Sequence, residues 1–262
     1  MITRNFVLHI TCFVLISSAS RAFADDAPTA EDNVSVGLAA QSAPRYSGAD
    51  QHHWQVVPVV QARKGAFFFD SLKGLGYDLQ SQSGVYLEHT LGYSLGRADR
   101  NSNWRDGADK LQGMGNIAAT VNTALAVGWT PMSWLAIEGK ATLPLSDDQG
   151  VHYQTSVTLI PIQNETDTLA FQSAAMFGDR RYMNTFYGVS NRQSERSGYT
   201  AYQAAGGFYG VDNTLTWSHQ FTKHWTGALT ADYIWLGNHA DDSPIVFRRS
   251  GTSGSVALLY TF

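Results

Sequence analysis

Cysteine is almost missing from this chain. Among 262 residues only Cys12 carries a thiol. A disulfide framework is therefore excluded, and so is a cysteine metal site. Long apolar runs are missing as well. Beyond residue 24 no stretch approaches the roughly 18 uninterrupted apolar residues that a spanning helix requires, so no helical membrane span is available. Charge is sparse: 15% of the residues are Asp, Glu, Lys or Arg, against roughly a quarter in an ordinary soluble domain. No basic tract exists and the formal net charge is −4, which removes nucleic acid from the list of partners. Only seven prolines punctuate the chain.

The first 24 residues account for the one apolar run. Arg4 is a positive lead-in, residues 6–16 (FVLHITCFVLI) are apolar, and Ala22-Phe23-Ala24 is a small-x-small cleavage site before Asp25. This is the pattern of a secretory signal peptide, too short to span a membrane as a helix. Cys12 lies inside the run behind Thr11, which disfavours a lipoprotein cleavage site. Removing residues 1–24 takes away Arg4 and Arg21 and no acid, moving the formal net charge from −4 to −6. The remainder, residues 25–262, is long enough for one domain or one barrel.

Aromatic residues and glycine, by contrast, are plentiful: 7 Trp, 12 Tyr, 13 Phe and 24 Gly. Apolar residues recur with period two. Val85, Leu87, His89, Leu91, Tyr93 and Leu95 alternate with Tyr86, Glu88, Thr90, Gly92 and Ser94. Ile117, Ala119, Val121, Thr123, Leu125, Val127 and Trp129 form a second such face, opposite Asn116, Thr120 and Asn122. Period two means strands with two unlike faces. A soluble sandwich would show the same alternation with its sense inverted. The signal peptide and the last residues favour the membrane alternative. The chain closes on Val256, Leu258, Tyr260 and Phe262 alternating with Ser255, Ala257, Leu259 and Thr261. An aromatic terminus suits a strand that ends at a membrane interface, with Leu258, Tyr260 and Phe262 read as an assembly signal for the barrel-insertion machinery.

The expected fold is thus an all-β, antiparallel outer-membrane β-barrel over residues 25–262. Twelve strands are expected near 33–42, 52–62, 66–70, 74–80, 84–97, 113–130, 134–145, 150–162, 167–179, 206–221, 224–238 and 252–262. Two of them, within 66–80, are very short, which leaves ten strands as the alternative. With both termini periplasmic, the inner turns 63–65, 81–83, 131–133, 163–166 and 222–223 are short. The outer loops 43–51, 98–112, 180–205 and 239–251 are longer. That asymmetry is the rule for such barrels. Trp129, Trp134, Phe221, Trp225, Tyr260 and Phe262 then form an inner aromatic girdle. The expected location is the outer membrane of a Gram-negative bacterium.

Chemistry-bearing constellations are thin. His239, Asp241 and Asp242 could ligate a divalent cation, but Asp242-Ser-Pro244 reads first as a turn whose side chains bond their own backbone. His52 and His53 are adjacent on a strand and point to opposite faces. The same holds for Ser218 and His219, and His152 and Ser156 sit about 13 Å apart along a strand, so neither pair makes a hydrolase dyad. Glu88, Glu138, Lys140, Asp212 and Asp232 fall on the expected lumen face. They either pair inside a filled barrel or line a conduction path. No catalytic residue, cofactor or metal site is expected.

Three blocks carry a family resemblance. Pro44-Arg-Tyr46-Ser-Gly48-Ala-Asp50 is similar to a Pro-x-Tyr-x-Gly-Ser segment, with Ala49 in place of the usual Ser. Tyr182-Met-Asn-Thr-Phe-Tyr187-Gly188-Val189-Ser190, with Ser197-Gly-Tyr199, resembles a Tyr-Phe-Gly-Val and Ser-Gly block. Leu236-Gly-Asn-His-Ala-Asp-Asp242-Ser243-Pro244-Ile-Val246 resembles a Leu-x-x-Asp-Ala-x-Asp-Ser-Pro-Ile-Val loop, with Gly237-Asn-His replacing the acidic lead-in. In this order the blocks resemble the MipA/OmpV family, the MltA-interacting proteins. The resemblance implies a non-enzymatic outer-membrane barrel. It implies either a scaffold that holds a lytic transglycosylase and a penicillin-binding protein or a surface-exposed interaction protein. A small channel and, behind it, a membrane-embedded hydrolase are the alternatives.

Overall fold

A strand with one apolar and one small, polar face has two solvents to satisfy, and a sheet that closes on itself satisfies both. Closure also gives backbone donors and acceptors a ladder partner, which a bilayer demands. The computed structural model describes residues 32–145 and 149–262. The expected signal peptide, residues 1–24, lies outside the described residues.

Twelve strands close an antiparallel barrel. In chain order they are β1 (Asn33–Pro44), β2 (His52–Lys64), β3 (Phe67–Asp70), β4 (Gly74–Gln80) and β5 (Val85–Ser94). Two-residue strands β6 (Arg97–Ala98) and β7 (Asp106–Gly107) pair with each other outside the barrel sheet. The wall continues with β8 (Thr120–Met132), β9 (Leu135–Pro144), β10 (His152–Gln163), β11 (Asp167–Gly178), β12 (Gly207–Gln220), β13 (Trp225–Leu236) and β14 (Ser250–Thr261). The seam is β1 on β14, in register from Ser35↔Thr261 to Ser42↔Gly254. Both short strands, β3 and β4, are wall members, so the ten-strand alternative is set aside.

The two ends of the barrel differ. Segments 65–66, 81–84, 133–134, 164–166 and 221–224 are tight turns at the end that holds both termini. Segments 45–51, 95–119, 179–206 and 237–249 are long and lie at the other, loop end. The 71–73 link, which joins β3 to β4 partway up the wall, is short. Below it the wall is complete. Above it, β2 has β1 alone as a ladder neighbour among the described residues, because β3 pairs only with Gln61–Lys64. Ser71 closes the corner: its N–H donates to the Val60 carbonyl at 2.9 Å and its Oγ accepts from the Val60 N–H at 3.0 Å. Pro58, lacking an N–H, stands where β2 becomes an edge. Trp54, on that edge, is 76% exposed.

Alternation sorts the side chains. Leu38, Val56, Leu125, Val127, Leu215, Leu229 and Val256 stand exposed on the outside. Small and polar residues such as Ala39, Ala126, Ser156, Thr216 and Thr230 are buried on the inside. The lumen is not only polar. Ala39, Val57, Val59, Leu72, Ala228, Ala257 and Leu259 form one buried apolar cluster within it.

Two sequence expectations need correction. The strand expected from residue 113 begins at Thr120. Gly113 and Gly115 hold φ of +89° and +78°, a left-handed backbone that no ladder accommodates. Ile117, expected on the lipid face, is instead buried and bridges Arg97. Second, the outer loop expected at 180–205 is not wholly coil: it contains helices α1 (Arg180–Phe186) and α2 (Asn191–Ser197). A third short helix, α3 (Asn238–Asp241), opens the last long loop.

Candidate functional site

The most organised non-barrel structure is a cap over the loop end. Long polar loops gain nothing by packing unless they carry apolar residues to bury, and these do. Tyr46, Ala49, Ala108, Leu111, Met114, Val189 and Ile245 make one buried cluster, against which Tyr199 and Tyr202 pack. Met183, Tyr187, Ala204 and Ala240 make a second with the inward strand residues Met176, Tyr209 and Leu236. Each cluster draws on loops that are distant in sequence, so the cap is tertiary structure.

The three sequence blocks meet in it. The Tyr46 hydroxyl donates to the Ile245 carbonyl at 2.8 Å, joining the first block to the third. Ser47 Oγ and the Tyr187 hydroxyl are 2.8 Å apart, joining the first to the second. The buried Ser243 hydroxyl donates to the Tyr187 carbonyl, joining the second to the third. Gly48 accepts from Phe247 N and Arg248 N through its carbonyl, at 2.8 and 3.1 Å. Its φ is +93°, and a Cβ there would lie 2.9 Å from both Val246 methyls. Val189 and Tyr202 exchange two backbone bonds of 2.8 Å. Gly188 donates to Asn184 O at 3.1 Å as α1 ends. Pro44 ends β1 and directs the chain into the cap. Pro244 follows Ser243, and Asp242 is the C-cap of α3.

Local chemistry explains the helices. The Asp179 carboxylate caps α1 by accepting from Tyr182 N at 2.6 Å, and its second oxygen accepts from Val151 N at 2.9 Å. Ser190 and Gln193 form a reciprocal capping box at α2, and Gly198, at φ +79°, ends it. A Ser-x-x-Gln spacing ahead of a helix is a readable signal, and Ser190-Asn-Arg-Gln193 carries it. Gln193 also donates to Met114 O at 2.8 Å, which pins α2 to the 95–119 loop.

Two buried ionisable residues escaped the sequence reading. Arg97 and Asp106 lie opposite each other in the β6–β7 ladder and both are buried. Arg97 donates to Phe186 O at 2.6 Å and lies 5.6 Å from the Tyr46 ring centroid. Burial pushes the Asp106 carboxyl well up while the Arg97 charge works against it. Burial likewise lowers Arg97 and raises the Tyr46 and Tyr187 hydroxyls. Nothing in the local sequence marks Arg97, because its partners are 9 and 89 positions away. At the cap margin Lys110 donates to Asp50 at 2.6 Å and holds that carboxyl below its usual range.

The other singled-out residues are spread along the wall. Glu88 pairs with Lys73 at 3.4 Å. Glu138 accepts from the Tyr86 hydroxyl at 2.8 Å, and Lys140 stands two residues along the same face. Asp232 accepts from Thr214 at 2.8 Å and Ser253 at 3.0 Å, and Asp212 is two residues from Thr214 on the same face. At the turn end Tyr260 stacks on His224 and meets Trp225 and Phe262 edge-on. Phe262 N donates to Val34 O at 3.0 Å, and Leu258 is exposed on the outer face. His219 bonds Asp167 at 2.8 Å, away from Ser218, and His152 stacks on Tyr182. Asp241 pairs with Arg249 at 3.4 Å. Among the described residues no three His, Cys, Asp or Glu side chains come together as a metal site.

A solved structure shares this architecture. An outer-membrane channel from Pseudomonas putida F1 is similar in structure, with a TM-score of 0.50 and 12% identity over 90% of this chain and 97% of that one. The outer-membrane channel DcaP of Acinetobacter baumannii gives a TM-score of 0.40 and 6% identity over 88% and 96%. At 12% identity the likeness to the Pseudomonas putida channel speaks to the fold alone. No curated protein matches the sequence. The family model described as MltA-interacting protein MipA matches residues 36–262, a span that takes in the wall from β1 to the carboxyl end and all three cap blocks. This outer-membrane β-barrel chain therefore belongs to the MipA family.

Proposed function

We propose that this protein is a non-enzymatic, non-conducting outer-membrane barrel that acts by holding a partner protein. The observation that carries the closed barrel is the cap: two apolar clusters, tied across three distant loops by Tyr46, Tyr187 and Ser243, pack over the loop end and leave the turn end to meet a murein enzyme. A barrel built to pass solutes keeps a wet path through its lumen, and an apolar, hydrogen-bonded lid works against one. The family model's namesake interacts with MltA, which points to a lytic transglycosylase as the first partner to try, with a penicillin-binding protein beside it. Lumen pairs such as Lys73–Glu88 then serve as filling. The signal peptide at 1–24 delivers the chain, and the Leu258-Tyr260-Phe262 ending presents it to the barrel-assembly machinery.

Pull-down from solubilised envelopes tests the reading directly. A lytic transglycosylase should be retained by the tagged barrel and not by an unrelated barrel of equal size. The channel alternative draws on the lumen's polar side, with Glu138, Lys140, Asp212 and Asp232. Planar bilayers decide between them. The capped protein should give no unitary conductance, whereas steady open steps would promote the channel.

A further inference from the structure

The outside of the wall at the loop end is not uniform. Across β11, β12 and β13 three aromatic side chains form a continuous strip. Phe177 meets Phe208 edge-on with ring centroids 5.7 Å apart, and Phe208 lies 6.4 Å from Trp235. One arginine touches the strip, and a second follows the end of β11 close to Phe177 in the chain. The Arg249 guanidinium lies 4.8 Å from the Trp235 ring centroid, at the foot of β14. Arg180, exposed just past the end of β11, donates to Gln203 at 3.3 Å. Its backbone nitrogen is 2.8 Å from where a Cβ on Gly206 would stand, which places it beside the entry to Phe208.

This arrangement belongs to a wider asymmetry. Every arginine among the described residues except Arg63 lies on a loop-end segment, while the turn end carries Arg63, Lys64 and Lys223. Arginine presents a planar fork that suits phosphate, and an ammonium does not. Aromatic rings at a membrane interface sit at the depth where acyl chains give way to headgroups. The strip offers both chemistries at one depth.

We propose that the exterior of β11–β13 at the loop end binds a phosphate-bearing acylated saccharide lipid of the outer leaflet. Its acyl chains lie along Phe177, Phe208 and Trp235. Its phosphates meet Arg180 on one side and Arg249 on the other. Asp241 pairs with Arg249 at 3.4 Å, and Arg249 also donates to Leu236 O at 3.0 Å and to Asn238 Oδ1 at 2.6 Å. These bonds aim the guanidinium over the ring. The proposal concerns the lipid face and is independent of which protein the barrel holds.

Native mass spectrometry of the detergent-purified full barrel tests it, with bis-phosphorylated lipid A, dephosphorylated lipid A and phosphatidylethanolamine as separate probes. The wild-type protein should retain bis-phosphorylated lipid A and release the other two. Arg180→Gln, which removes a single exposed contact, should lower that retention about tenfold, the loss of one charge-assisted contact. Trp235→Ala should lower it for phosphorylated lipid as well. Because Arg249 also ties the last loop, the comparison of lipids on the unaltered protein decides without any variant. Equal retention of all three would reduce the strip to ordinary lipid contact and overturn the proposal. So would retention that Arg180→Gln leaves unchanged.

Discussion

Single atoms decide whether the cap is closed. The Tyr46 side chain is buried and its hydroxyl donates to the Ile245 carbonyl. Tyr46→Phe keeps the ring and takes that donor away from the carbonyl, a loss of about 1–3 kcal/mol. We expect a lower unfolding temperature for the cap with the barrel itself intact, read as faster protease cleavage in the loops while the heat-modifiable band persists. Gly48→Ala should do at least as much, since the residue is held at φ +93° against Val246 and a non-glycine residue there costs about 1–3 kcal/mol. Acid acts on a different atom. The Lys110 hydrogen bond depresses the Asp50 carboxyl. A depressed carboxyl contributes stability above its unfolded value, and that contribution disappears as pH falls through the folded one. Amide protection in segment 45–51 should therefore drop below about pH 4, and Asp50→Asn should abolish the drop while starting from the lower level. An unchanged acid response in Asp50→Asn would assign the effect to another group.

Elements are far more legible in this sequence than contacts. Period-two alternation marks the long wall strands, because a lipid-facing strand must keep one face apolar along its whole length, while the short β3 and β4 leave ten strands open. It fails at 113–119, where Ile117 continues the rhythm by accident and the glycines at 113 and 115 interrupt the backbone. It also misses α1 and α2, whose seven residues are too few for a helical period to show. Their caps, Asp179 and Ser190, are the only local sign. The three motif blocks are visible as blocks, but nothing in sequence order announces that they meet, since Tyr46 and Ile245 are 199 positions apart. The wall assignment itself has a direct test on β8. Leu125 is exposed on the outer face, so Leu125→Arg should cost about 2–4 kcal/mol near the bilayer midplane, whereas Leu125→Ala should cost much less. Equal, small losses in both variants would mean that this face does not meet hydrocarbon.

At the scale of the whole molecule the question is which way the barrel stands. The short turns and the aromatic cluster of Trp225, Tyr260 and Phe262 mark one end, and the arginine-rich cap marks the other. In barrels of this class the short turns are periplasmic, which sends the cap outward and sets the lipid strip against the outer leaflet. The rarity of cysteine makes this measurable. Cys12 lies in the segment expected to be removed on export, so a thiol introduced later in the chain is the only target for a maleimide. Glu195 lies exposed on α2 in the cap, and Lys223 lies exposed in the 221–224 turn. A membrane-impermeant maleimide should label Glu195→Cys on intact cells and Lys223→Cys only after the outer membrane is opened. The opposite pattern would invert the barrel. It would move the cap to the side where murein is built and make the cap, in place of the turn end, the surface on which a murein enzyme should be sought.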